Sequence, residues 1–159
     1  MTEDARFEDG GEAPVRLMAL DADDLAVISA LAQDAVFPIT EMTWQPTRRR
    51  FALLLNRFRW EDAEKAAKRG RAVERVQSVL AVSDVVKVQS QGVDRQEKDL
   101  VLSLLSISFE PGEDGTGRVV LTLAGDGAIA VDVEALDVTL QDVTRPYLAP
   151  TRKTPHHPE

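Results

Sequence analysis

The chain has 159 residues, 43% of them hydrophobic, and a net charge of −8. That length supports one domain, able to bury roughly 70% of its unfolded surface without covalent staples. There is no cysteine, which excludes disulfides, thiolate catalysis and cysteine-ligated zinc or iron–sulfur centres and fits a reducing compartment.

Residues 1–14 form an acidic, glycine-containing stretch with Phe7 as its one large apolar group, and a disordered tail is expected there. It has no apolar core of the kind a secretory signal carries. The longest unbroken apolar run, Phe51 to Leu55, is far shorter than the ~20 residues of a membrane span. A cytoplasmic protein without membrane contact is the expectation.

A single α+β domain is expected over residues 15–148. Asp21 caps a helix, with Asp23 and Asp24 complementing its positive end. Leu25, Ile28, Ala32 and Ala35 recur at helical spacing, and Pro38 is read as the stop. Strands are expected from there on. Glu41–Gln45 leads through a Pro46–Arg49 turn into a return strand over Arg50–Arg59. A strand that long would span ~33 Å, so it is expected to bend or to cross between sheets.

The segment from Trp60 to Arg71 has good helix formers but almost no apolar stripe, which predicts a solvated loop or short exposed helix. Further strands are predicted over Ala72–Val82, Val85–Gln91, Leu100–Phe109, Val119–Leu123, Ala128–Val133 and Leu136–Val143. Gly125-Asp126-Gly127 is a tight hairpin signal between two of them. The total is one N-terminal helix and a mostly antiparallel sheet of about eight strands, curled into a barrel or sandwich. Residues 149–159 hold prolines, bases and both histidines, and a second disordered tail is expected.

The charge is unevenly placed. Between Arg48 and Arg75 there are ten bases against four acids, so this window carries +6 and the rest of the chain −14. Arg48, Arg49, Arg50, Arg57 and Arg59 are the candidate ligand-binding residues, since a guanidinium fork suits phosphate and carboxylate. By alternation Arg57 and Arg59 follow Phe51, Leu53 and Leu55, and they are expected to line a rim with Arg48–Arg50. Asn56 shares the other face with Leu54 and Phe58. A buried amide without partners would cost roughly 1–3 kcal/mol, so Asn56 is assigned a structural role, bonded to a backbone group at a bend or bulge. Gln89, Ser90 and Gln91 form a second polar cluster that would face Arg95 and Arg57 across a sheet end.

The remaining chemistry is sparse. The only histidines, His156 and His157, are adjacent in the tail and point apart in an extended chain. Ser-His-Asp and Cys-His sets and histidine-ligated metals are therefore not expected. Gly125-Asp126-Gly127 lacks the lysine of a phosphate loop and the third glycine of a dinucleotide fingerprint. Asp132, Glu134 and Asp137 carry oxygens of the kind magnesium or calcium takes, yet alternation places Asp132 on the polar face of a strand. No cofactor and no metal are expected.

Four blocks together resemble one small alphaproteobacterial family, the domain-of-unknown-function family numbered 2948. They are Asp23–Ala30 with Gln33–Val36, Arg49–Glu61, Val88–Arg95 and Leu104–Pro111, and the likeness spans about Val15 to Asp142. The resemblance implies a housekeeping setting, with gene neighbours in histidine and cell-wall precursor synthesis. It implies no activity and no catalytic residue.

Three functions remain open. The first is a non-enzymatic binding or assembly module, its partner an unknown protein or a second copy in a homodimer, joined through an exposed sheet edge. The second is an anion or single-stranded nucleic-acid binder using the Arg48–Arg71 segment, with Trp44 and Trp60 to stack bases. The third is an enzyme working through carboxylates such as Asp84, Asp94 or Glu97.

Overall fold

The chain begins its regular structure with strand β1, Arg16–Ala19, and turns at Asp21 into helix α1, Ala22–Ala32. The computed structural model describes residues 13–148; the tail beyond Leu148, with His156 and His157, and nearly all of the N-terminal tail lie outside the described residues. The Asp21 side chain accepts the Asp24 N–H at 2.8 Å, as expected of a cap. Leu25, Ile28 and Ala32 are buried and form the apolar stripe.

The helix does not run to Pro38. It stops at Gln33, and Asp34 adopts a left-handed conformation with φ 65°. The backbone there is captured by a distant strand: the Asp34 N–H donates to the Leu104 carbonyl and the Leu104 N–H to the Ala35 carbonyl, both at 2.8 Å. Those bonds draw the next residues out of the helix and into a short strand β2, Val36–Pro38.

The predicted hairpin is present. Strand β3, Met42–Gln45, passes through a single 3-10 turn, Pro46–Arg48, into β4, Arg50–Phe58. The remaining elements are helix α2 (Ala63–Lys68), β5 (Arg75–Val82), β6 (Val85–Gln91), β7 (Val101–Pro111), β8 (Gly117–Leu123), β9 (Ala128–Val133) and β10 (Val138–Asp142). Among the described residues there are thus ten strands, the expected eight plus β1 and β2, and a second short helix beside the expected one. Gly125 and Asp126, in the tight connection between β8 and β9, both have positive φ, and the Leu123 N–H closes it on the Gly127 carbonyl at 2.8 Å.

Every described pairing is antiparallel, in the order β1-β10-β5-β4-β2-β7-β8-β9-β6, with β3 attached to β4. Of the expected barrel or sandwich, the closed barrel is not formed: among the described residues β1 and β6 end the order without pairing. On one side of β4 the first half pairs with β3 and the second meets β2, while on the other β5 runs unbroken from Phe51 to Phe58. β7 joins the two parts of the sheet. Its start pairs with β2 and its remainder with β8, with a register shift between Leu104 and Ser106. Phe51, Leu53, Leu55 and Leu80 from one part share a single core with Val119, Leu121, Ile129 and Val131 from the other. Helix α1 adds Leu25 and Ile28 to that core and is tied to β7 by the Ile107 N–H, which donates to Ser29 Oγ at 2.8 Å.

Gly117 opens β8 beneath the Phe109 ring. A Cβ placed there would press on that ring and lie 2.6 Å from the Glu110 carbonyl oxygen. Gly117→Ala is therefore expected to cost about 1–3 kcal/mol of stability through overpacking. Urea denaturation of the variant beside wild type measures it.

Candidate functional site

The two arginines at the end of β4 are interior residues. Alternation puts Arg57 on the core face after Phe51, Leu53 and Leu55, and the structure buries it completely, with Arg59 1% exposed. Both are charge-paired. The Trp60–Asp62 turn brings Glu61 back over β4, where its two carboxylate oxygens accept from Arg57 Nη1 and Nη2 at 2.9 Å each. From β10, Asp142 accepts from Arg57 Nε at 3.2 Å and from Nη2 at 2.9 and 3.0 Å. Ser78 on β5 accepts from Arg57 Nε at 3.0 Å and donates to Asp142 at 2.6 Å. Burial alone would lower the pKa of Arg57; Glu61 and Asp142, through hydrogen bonds and charge, outweigh burial and raise it above the ordinary arginine value.

Arg59 joins a second cluster. Its Nη1 donates to Glu74 at 2.7 Å and to Asp62 at 3.4 Å, while Arg71 donates to Asp62 at 2.8 Å. Asp62 is itself 4% exposed. The rim expected of Arg57 and Arg59 with Arg48–Arg50 is thus corrected. A charge in the core is held where carboxylates satisfy it, and these two sets of partners leave neither guanidinium facing solvent. Arg48, Arg49 and Arg50 are exposed at the opposite end of β4, about 26 Å away along a strand from Arg50 to Phe58. Arg49 is ion-paired with Glu134 and holds a left-handed conformation. The five arginines therefore form two separate features.

Asn56 is half-buried on the other face, but its partners are side chains. Its Nδ2 donates to the Tyr147 hydroxyl at 2.7 Å, and its Oδ1 accepts from Arg75 Nη1 at 2.9 Å. The β4–β5 register runs without a bulge from Phe51 opposite Val82 to Phe58 opposite Arg75. The amide thus bridges β4 to the segment at Tyr147 that pairs with Arg75, through side chains and not through the backbone group expected.

The carboxylates read as metal or catalytic candidates are engaged or apart. Asp132 accepts from Arg118 at 2.7 Å, Glu134 pairs with Arg49, and Asp94 Oδ1 accepts the Gln96 N–H at 3.0 Å. Among the described residues no group of three histidine, cysteine or acidic side chains could hold a metal ion. No described helix is long and apolar enough to cross a membrane.

A different site emerges where β3 and β4 face β6 and β9. A cleft of about 190 Å³ opens there. Its floor is apolar: Met42 and Trp44 alternate on β3, Phe51 lies opposite Trp44 on β4, and Val88 and Ile129 come from β6 and β9. Its mouth is polar, with Thr40, Ser90, Arg95 and Lys98. The two charged residues lining it are both cations, and neither has an ion pair among the described residues.

The loop between β6 and β7 places those cations. Gly92 starts it with φ 69°, packed so closely on Asp126 and Gly127 that a Cβ would lie 3.1 Å from the Asp126 carbonyl oxygen. Two turns come next, the Glu97 N–H donating to the Asp94 carbonyl at 3.2 Å and the Leu100 N–H to the Glu97 carbonyl at 3.0 Å. Arg95 and Lys98 are the second residues of these two turns, and both line the cleft. Half-buried Val93 and Leu100 anchor the loop's ends on the core. Of the polar cluster expected to face Arg95 and Arg57, Ser90 lines the cleft together with Arg95, while Gln89, Gln91 and Arg57 do not. Sequence patterns mark Trp44 only as a flank of the basic strip, and Lys98 only as part of a polar loop.

Searches of the curated proteins and of the solved structures returned no match. A family model matches residues 15–157 and so runs on beyond the last strand into the C-terminal tail. With nearly the whole chain covered, the protein belongs to the family described as Protein of unknown function (DUF2948).

Proposed function

We propose that the protein is a non-enzymatic binding module whose recognition site is the cleft between β3 and β6, and that its ligand has an apolar body and an anionic head. The observation that carries this reading is the combination of an apolar floor with Arg95 and Lys98 at the mouth and no acid in the lining. Clefts lined by apolar groups with a few convergent polar ones are the usual form of small-ligand sites. The volume is close to the ~150 Å³ that accommodates a single aromatic ring. Arg57 and Arg59, by contrast, are spent on internal carboxylates, which weakens the reading of Arg48–Arg71 as a nucleic-acid surface.

Trp44 makes the test simple. Trp60 lies elsewhere, its indole N–H donating to the Gln33 carbonyl at 2.8 Å. Trp60→Phe leaves Trp44 as the single tryptophan. Titration with phenylacetate, benzenesulfonate and phenyl phosphate is expected to change its emission saturably for at least one of them. Arg95→Ala/Lys98→Ala then weakens that binding by about tenfold. Emission unchanged by all three up to about 10 mM, weaker than any useful affinity, would refute the reading.

A further inference from the structure

Among the described residues the two strands that border the cleft are each paired along one side: β3 with β4, and β6 with β9. The two approach at one end, where the Val85 N–H donates to the Arg49 carbonyl at 2.9 Å and the Arg49 side chain pairs with Glu134. That clamp coincides with the register shift between Val85 and Lys87, an irregularity of the kind that blocks indiscriminate edge pairing. From Lys87 to Gln91 the register against β9 is regular again. Over this stretch only Val88 is shielded from solvent; Lys87, Gln89, Ser90 and Gln91 are exposed.

We propose that the cleft's ligand is an extended acidic segment of a partner protein, which adds as a strand along β6 between Lys87 and Gln91. The proposal rests on the reading of the cleft as a binding site and names its occupant. A bare edge supplies main-chain donors and acceptors for affinity, and the side chains of an added strand point alternately to its two faces. One face of such a strand would set an apolar side chain over Met42, Trp44 and Phe51. Charge chooses the partner: Lys87 on the edge and Arg95 and Lys98 at the mouth have no ion pair among the described residues. Lys87 alternates with Val88 and Ser90 and so lies on the face away from the cleft, whereas Arg95 and Lys98 line the cleft; a segment with acids on both of its faces, one beside the apolar anchor, meets all three.

Panning a displayed library of random dodecamer peptides against the full chain tests this. Enrichment of sequences that combine an apolar anchor with acidic residues on both faces of a strand is expected. A synthetic peptide of that sequence should slow amide exchange within Lys87–Gln91 at least tenfold and leave the β1 edge unchanged. Arg95→Glu/Lys98→Glu, both exposed and so compatible with folding, should weaken the peptide at least tenfold. Protection confined to another edge, or peptides without acidic residues, overturns the proposal. If no peptide is selected but aromatic anions still report through Trp44, strand addition falls and the cleft stands as a small-molecule site. If neither binds, both readings fall. Protection of β6 that rises with protein concentration in the absence of peptide would identify a second copy as the occupant, and would also overturn the proposal.

Discussion

Arg57→Met is expected to lower the free energy of unfolding by about 3–5 kcal/mol, the range for removing one partner of a buried ion pair. Methionine fills much of the volume, so packing loss is the lesser part. The greater part is what stays behind. Asp142 is 9% exposed and would lose three of its hydrogen bonds from Arg57, keeping the Ser78 hydroxyl and the Val15 N–H, which donates to its Oδ2 at 2.8 Å. A carboxylate in that position is under-solvated. Adding Asp142→Asn to the Arg57→Met background removes the charge: the amide oxygen still accepts from the Val15 N–H, and the amide NH2 donates to Ser78 Oγ, which Arg57 Nε no longer occupies. That second change should therefore be neutral or stabilising, whereas Asp142→Asn in wild type should destabilise. A double-mutant cycle in urea isolates the coupling; additive effects would show that the two side chains are not energetically joined.

The same cluster has a simple pH signature. Arg57 has its folded pKa raised above the ordinary arginine value. Stability from a group raised in this way is fully present below the unfolded pKa and is lost only as pH rises through the folded one. For an arginine that window lies in strong alkali, so the Arg57 contribution should be flat across the neutral range. Stability curves at pH 6 and pH 9 should therefore show the same cost for Arg57→Met within about 0.5 kcal/mol.

Much of the sheet was legible because alternation and turn chemistry act locally. Gly125-Asp126-Gly127 and Pro46–Arg49 specify their hairpins from a handful of adjacent residues, and β6 and β9 fall on the predicted residues. β1 and β2 were not legible. They have four and three residues, too few to show a period, and β2 ends on Pro38 and exists because β7 captures the backbone after α1. The helix boundary was misplaced for the same reason: Asp34 and Ala35 answer to Leu104, not to Pro38. Arg57 is more instructive. Strict alternation from Phe51 puts it on the core face, but a cation there needs carboxylates to hold it, and alternation does not say which ones arrive. Its partners, Asp142 and Ser78, come from β10 and β5, so only the strand order reveals them. The cleft is hidden similarly. It is assembled from residues 39–51, 88–98 and 129, which local patterns place on separate strands and loops without saying that they meet.

Phe51 links stability to the proposed site. It is 3% exposed and forms part of the cleft floor. Phe51→Ala is expected to cost about 3–5 kcal/mol, the usual range for truncating a core phenylalanine. The hole it leaves is continuous with the cleft, so a small aromatic molecule can reach it from solvent. Leu104, on β7, is fully buried and lines no part of the cleft; Leu104→Ala should cost about 2–5 kcal/mol and leave a cavity apart from the cleft. Toluene should therefore rescue the first variant and not the second. At ten times its dissociation constant it would return about 1.4 kcal/mol, because a ligand that binds only the folded state stabilises it by mass action. Thermal denaturation of both variants with and without toluene decides the matter. Equal rescue of the two would mean that Phe51 is walled off from the cleft, and no rescue of Phe51→Ala would mean that the floor collapses when the ring is removed.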